Sequence, residues 1–155
     1  MLEATRLRLF SSDYQVTLDG QPVTLIDMAT FRSRGQFELD GVAYTFQAGG
    51  LMGGSYVLEG QGRTLARATR ERLIPLLYRV NAGDRMLGLG LRAPGRRFTV
   101  RHGDRVIGEV RPRRLFSRSA LAHFEEPLSL PVQVFLLALV LLYWRRRARA
   151  SSSGS

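Results

Sequence analysis

The chain of 155 residues contains no cysteine and no lysine. Without cysteine it has no disulfide and no thiolate metal site. All 23 basic residues are arginines, whose guanidinium groups bind phosphate through paired hydrogen bonds, although codon bias alone can produce the same composition. Histidine is nearly absent as well. His102 and His123 are isolated histidines that do not belong to a spaced set of metal ligands, so we predict no metal site.

The sequence also lacks the motifs of common catalytic sites. The glycine-rich stretch 48–54 does not end in the Gly-Lys-Ser of a phosphate-binding loop, which favours a flexible hairpin connection. No serine lies in a nucleophile-elbow motif. Glu125 and Glu126 are adjacent, so in a strand they would point to opposite faces. We therefore predict a non-enzymatic protein with no catalytic residues, no cofactor and no identifiable small-molecule substrate.

Helical periodicity is missing before residue 128, and short runs with alternating apolar residues take its place. Turn signals such as Asp19-Gly20, Asp40-Gly41 and Gly103-Asp104 separate these runs and favour hairpins. Many short strands with turns between them indicate a mainly β domain, either a sandwich or a barrel. The pattern predicts strands at 3–10, 14–18, 22–28, 35–40, 42–47, 55–60, 63–70, 72–80, 84–92, 96–102, 104–111 and 119–125.

A helix predicted at about 131–144 breaks this pattern. Ser129 is a suitable N-cap, Pro131 suits the first turn, and the arginines that follow Trp144 complement the helix dipole. After Gln133 no face of the helix is polar, so it must be buried on every side.

Length distinguishes two environments for this helix. Fourteen residues span about 21 Å, whereas a bilayer core of about 30 Å usually needs about 20 apolar residues. A barrel of more than about eight strands needs something to fill its interior. We predict a closed barrel of about 12 strands around the helix, forming a single domain over 1–147, with a disordered tail at 148–155. The alternative is a C-terminal transmembrane anchor at 128–144 carrying a β-domain.

Several stretches resemble the tubby-like and phospholipid scramblase superfamily, including its small LURP-one-related single-domain members. They are Ser55-Tyr-Val-Leu-Glu, Thr64-Leu-Ala-Arg-Ala, the run from Phe98 to Val110, and the apolar run from Leu128 to Leu142. The resemblance covers most of 1–147 and implies a β-barrel around a hydrophobic central helix. It also implies lipid binding through basic side chains on the barrel exterior. The acidic calcium loop of scramblases has no counterpart before the helix, where only Glu125 and Glu126 occur.

Positive charge is concentrated in the second half of the chain. Ten arginines and nine acidic residues lie in 1–91, against thirteen arginines and four acidic residues in 92–155. The strongly basic second half favours an anionic partner, although arginines can equally serve to keep exposed strands soluble. Nucleic acid is the less favoured partner, because few aromatic residues are interleaved with the arginines. The candidate residues for binding lipid phosphate are Arg96, Arg97, Arg101, Arg111, Arg113, Arg114 and Arg118.

Three functional hypotheses follow from these patterns. The leading one is a cytoplasmic, membrane-associated module that binds anionic phospholipid peripherally through an arginine-rich face. The second is a single-pass membrane protein anchored by the C-terminal helix. The third is an enzyme that uses the mouth of the barrel, for which the sequence indicates no substrate.

Overall fold

The computed structural model describes residues 1–7, 13–28, 34–49, 54–92, 95–114 and 119–153. Among them are twelve strands and one helix. In chain order these are β1 (Leu2–Arg6), β2 (Asp13–Leu18), β3 (Gln21–Met28), β4 (Arg34–Leu39), β5 (Val42–Gly49), β6 (Ser55–Gly60), β7 (Arg63–Leu73), β8 (Leu76–Ala82), β9 (Arg85–Leu91), β10 (Phe98–His102), β11 (Arg105–Pro112), β12 (Ala120–Phe124) and α1 (Leu130–Ser153).

The strands form a closed antiparallel barrel in which each strand pairs with the next one in the chain. The barrel closes where β1 pairs with β12, with Leu2 opposite Ala122 and Ala4 opposite Ala120. Alternate residues of the strands face inwards and are buried, as the period of two predicts. The predicted mainly β fold, a barrel of about 12 strands around a C-terminal helix, is therefore confirmed.

Two-residue turns connect the strands at one end of the barrel, which we call the turn end. Asp19-Gly20, Asp40-Gly41 and Gln61-Gly62 have positive φ at both residues, as type I′ hairpin turns require. In the turns at 83–84 and 103–104, the glycine precedes the aspartate and has positive φ. These turns leave the neighbouring strands paired up to their ends, and the predicted Asp-Gly hairpins are confirmed.

Pro75 lies in the turn of a hairpin at the opposite end of the barrel. The alternating pattern predicted one strand over 72–80, although a proline within it restricts such a strand to an edge, bulged or broken one. In the structure β7 continues to Leu73, Ile74 and Pro75 form the turn, and β8 begins at Leu76. Proline has no N–H to donate to a strand ladder, which explains why the chain reverses at this position.

The segment 125–129 leads from β12 into the helix at the turn end. The Glu125 N–H donates to the carbonyl of Ile107 at 2.6 Å, and Arg85 Nη1 donates to the carbonyl of Pro127 at 2.8 Å. His102 Nδ1 lies 3.0 Å from Glu126 Oε2. These contacts with three strands fix the point at which the chain turns inward.

The helix runs through the interior of the barrel from the turn end to the opposite end. Every residue from Val134 to Leu142 is at most 5% exposed. Because nine residues cover all sides of a helix with 3.6 residues per turn, the surrounding wall must be complete. Phe46 of β5 contacts Phe135 and Phe98 of β10 contacts Tyr143, so strands from well-separated parts of the barrel pack on the helix.

A transmembrane anchor at 128–144 would expose these side chains to lipid, whereas in the structure they contact strands. Within the described part of the chain, no helix combines the length and the hydropathy needed to cross a bilayer.

The helix continues to Ser153, which corrects its predicted end at Trp144 and reaches into the segment 148–155 expected to be disordered. The run of apolar residues ends at Trp144, but the residues that follow still favour a helix. Arginine and alanine are both strong helix formers, and they make up the chain from Arg145 to Ala150. The last turns therefore extend beyond the packed core, and residues 146–151 are exposed.

We predict that Leu139→Arg abolishes cooperative folding. Leu139 is 3% exposed in mid-helix, and an unpaired charge there would cost several kcal/mol, a large part of the about 5–15 kcal/mol stability of an ordinary domain. Thermal melts followed by near-ultraviolet circular dichroism measure the effect. The matched control is Leu25→Arg, because Leu25 is 52% exposed on β3. Equal melting of both variants would contradict the buried position of Leu139.

Candidate functional site

Acidic side chains are concentrated at the turn end of the barrel. The tight turns there need residues that tolerate positive φ or hydrogen-bond their own backbone, and aspartate meets this need. The described acidic residues in these turns and in the segment before the helix are Asp19, Asp40, Asp84, Asp104, Glu125 and Glu126.

Arginines are concentrated at the opposite end, which we call the arginine end. It carries the connections that follow β1, β3, β5, β7, β9 and β11, and the helix emerges from it. Only Asp13, Asp27 and Glu71 are acidic residues of the described chain at this end. The described arginines that lie there are Arg6, Arg34, Arg70, Arg72, Arg92, Arg96, Arg97, Arg113, Arg114, Arg145, Arg146, Arg147 and Arg149.

Trp144 joins the helix to the loop before β10 at this end. Its indole Nε1 donates to the carbonyl oxygen of Arg96 at 3.0 Å. The guanidinium carbon of Arg96 lies 4.4 Å from the centre of the indole ring, within cation–π distance. Burial lowers the pKa of Arg96, while nearby Tyr14 opposes this change. An arginine held against an aromatic face is pre-oriented for a phosphate group.

A second arginine, Arg146 of the helix, packs against a tyrosine elsewhere at the arginine end. The guanidinium carbon of Arg146 lies 5.6 Å from the centre of the Tyr56 ring, and Tyr56 packs edge-on against Tyr78. Burial raises the pKa of Tyr78, as does Tyr56, whereas Arg146 and Arg70 lower it. Two arginines at the arginine end are thus held against buried aromatic rings.

Like charges meet at Arg145. Burial lowers the pKa of Arg145; Arg149 and Arg6 lower it further, while Tyr14 raises it. Arginine stays protonated in proteins, so the lowered pKa means that the charged form is less stable in this position. An anion brought to this cluster would relieve the repulsion between the three guanidinium groups.

The predicted phosphate-binding residues are divided between regions of the barrel. Arg96, Arg97, Arg113 and Arg114 lie in connections at the arginine end. The other three are placed differently: Arg101 lies towards the turn end, Arg111 lies on the outer wall in β11, and Arg118 is outside the described residues.

Acidic neighbours partly neutralise this predicted set. Glu109 Oε1 lies 3.5 Å from Arg97 Nε and 3.4 Å from Arg111 Nε, and Arg113 Nη1 donates to Glu3 Oε1 at 2.7 Å. An outer groove of about 270 Å³ beside these pairs is lined by side chains that include Glu109, Arg111, His123 and Glu125. Since its lining carries both signs of charge, the groove does not favour an anion.

The arginines of the helix were not among the candidate site residues predicted from the sequence. The arginines that follow Trp144 were interpreted there as complementing the helix dipole. The predicted strand order already contained this information. A helix that enters the barrel after β12 must leave it at the end where β11 finishes and β12 begins. That end also carries the loops with Arg96 and Arg113.

Comparisons of the chain with protein-family models, with curated proteins and with solved structures find no match.

The raised pKa of Tyr78 predicts a loss of stability in alkaline solution. An unfolded tyrosine ionises near pH 10, whereas folded Tyr78 holds its proton to higher pH. This residue therefore stabilises the fold fully below about pH 10, and its contribution falls as pH rises through the folded pKa. Urea unfolding at several pH values should show a steeper loss above pH 10 in the native chain than in Tyr78→Phe. Parallel pH profiles would contradict the prediction.

Proposed function

We propose that the protein is a non-enzymatic module that binds anionic phospholipid at a membrane surface through the arginine end. The observation that carries the proposal is the segregation of charge along the barrel axis. Arginines surround the end where the helix emerges, and acidic residues occupy the turns at the other end. An anionic surface would attract one end and repel the other, and so orient the barrel as well as bind it.

Buried aromatic rings at the arginine end hold two of its arginines in place. The guanidinium group of Arg96 lies against the ring of Trp144, and that of Arg146 lies against the ring of Tyr56. Arginine binds phosphate through a planar fork of hydrogen-bond donors, and holding that fork in place favours such binding.

Anionic lipids are most abundant in the cytoplasmic leaflet, so we place the protein at the cytoplasmic face of the membrane. The resemblance to tubby-like proteins points to the same partner, because those domains bind lipid through external basic side chains. This proposal differs from the sequence-based one in the position of the surface. The binding arginines surround one end of the barrel and include those of the helix, rather than forming a face on β10 and β11.

Vesicle flotation tests the proposal. Vesicles that contain phosphatidylserine should carry the protein upward, and pure phosphatidylcholine vesicles should not. The triple variant Arg92→Gln, Arg114→Gln, Arg147→Gln removes exposed charges from the arginine end. At about 1 kcal/mol for each arginine near an anionic surface, binding should weaken about 100-fold at low salt. Raising the salt from about 0.05 M to about 0.5 M should release the native protein.

The matched control is Arg63→Gln, Arg101→Gln, Arg105→Gln, which removes the same charge from the turn end. It should bind nearly as well as the native chain. Equal weakening by both triple variants would show that net charge alone drives binding and would refute an oriented surface. Equal flotation with neutral and anionic vesicles would refute the proposal altogether.

A further inference from the structure

The turn between β7 and β8 exposes two large apolar side chains at the arginine end. Ile74 is 86% exposed and Leu73 is 62% exposed. Single exposed apolar residues are common on protein surfaces, but adjacent ones at the tip of a hairpin are not explained by local structure.

The β7 side of this hairpin leaves the packed wall of the barrel before the turn. Ala66 and Ala68 are buried on β7, but every residue from Thr69 to Pro75 is exposed. Burial resumes on β8 at Leu76, which is 5% exposed. The end of β7 and the turn are therefore exposed to solvent, while β8 remains part of the wall.

Arginines flank this tip. Arg70 and Arg72 lie just before it on β7, and Arg72 Nε donates to the carbonyl oxygen of Pro75 at 3.2 Å. This hydrogen bond holds the Arg72 guanidinium group at the base of the apolar pair. Arg79 on β8 forms an ion pair with Glu71, so the acidic residue of the hairpin already has a cationic partner.

We propose that the β7–β8 hairpin is a membrane anchor that inserts Leu73 and Ile74 into the headgroup and upper acyl region of a bilayer. This inference rests on the proposed binding of the arginine end to anionic lipid. Arg70 and Arg72 contact lipid phosphates while the two apolar side chains pass between the headgroups. Apolar insertion combined with attraction of arginines to anionic lipid is the combination by which interfacial segments bind membranes.

The hairpin turn and the last turns of the helix lie at the same end of the barrel. The exposed side chains of Leu73 and Ile74 and the exposed arginines of the helix from Arg146 to Arg149 therefore face a surface that approaches this end.

A lipid surface fits this tip better than a protein does. A stable protein interface buries about 800 Å² on each partner and needs complementary shape. Two side chains at a narrow tip provide far less area and no concave surface. A bilayer needs no shape complementarity, and its phosphates complement Arg70 and Arg72.

The lack of cysteine allows one dye to be placed at a chosen residue. Ile74→Cys carries an environment-sensitive fluorophore at the tip, and Met86→Cys carries it at an exposed apolar position towards the turn end. With phosphatidylserine vesicles, the emission at position 74 should shift to the blue, and spin-labelled lipids should quench it. The dye at position 86 should show neither change. A dye at 74 that stays in water while the protein is bound would overturn the anchor.

A second measurement uses unlabelled protein. Leu73→Ser with Ile74→Ser should lower vesicle affinity about 10- to 100-fold at low salt. Because the loss is apolar in origin, the factor should be the same at each salt concentration at which the native chain still binds. The control, Leu25→Ser with Met86→Ser, changes two other exposed apolar residues and should leave affinity unchanged. If the native chain binds anionic vesicles and the tip variant binds equally well, the anchor is wrong and the proposed function stands. If the native chain binds no vesicle, both are wrong.

Discussion

The packing of an all-apolar helix inside the barrel is the interaction on which the rest of the structure depends. The segment from Val134 to Leu142 has no polar face, so it can be covered only by a wall that closes completely around it. Twelve strands form such a wall, and their inward side chains belong to the same core as the helix. Neither part has a complete core alone: the helix would expose its apolar surface, and the barrel would enclose an unfilled interior.

The direction of the helix determines where charge accumulates. The chain enters the barrel at the turn end, held by contacts of Glu125, Glu126 and Pro127, and it leaves at the other end. The arginines that follow Trp144 therefore join those of the longer connections. The β7–β8 hairpin, with its exposed apolar tip, lies at the same end. The direction of the helix thus brings together guanidinium groups, the aromatic rings that hold two of them, and an apolar hairpin tip, although these residues are far apart in the sequence.

Most of the fold could be predicted because its signals are local. Alternation of apolar and polar residues identifies the strands, and Asp-Gly pairs identify the hairpins. An apolar run without a polar face identifies the helix that fills the barrel. The site depends on which connections share an end of the barrel, and proximity in sequence does not show this. Arg96 and Arg101 are five positions apart but lie towards opposite ends of β10. Ile74 lies within an apolar run, which predicted that it belongs to a strand. In the structure it lies with Pro75 in the turn between β7 and β8.

Removal of the helix tests the account most directly. A chain that ends after Glu126 keeps all twelve strands and loses the helix. A chain that ends after Arg149 keeps the packed helix and its arginines. Near-ultraviolet circular dichroism and thermal melts should show a fixed tertiary signal and a cooperative transition for the longer chain. For the shorter chain we expect aggregation or a non-cooperative melt. A soluble, cooperatively melting β-domain without residues 127–155 would contradict the helix as the core around which the barrel closes.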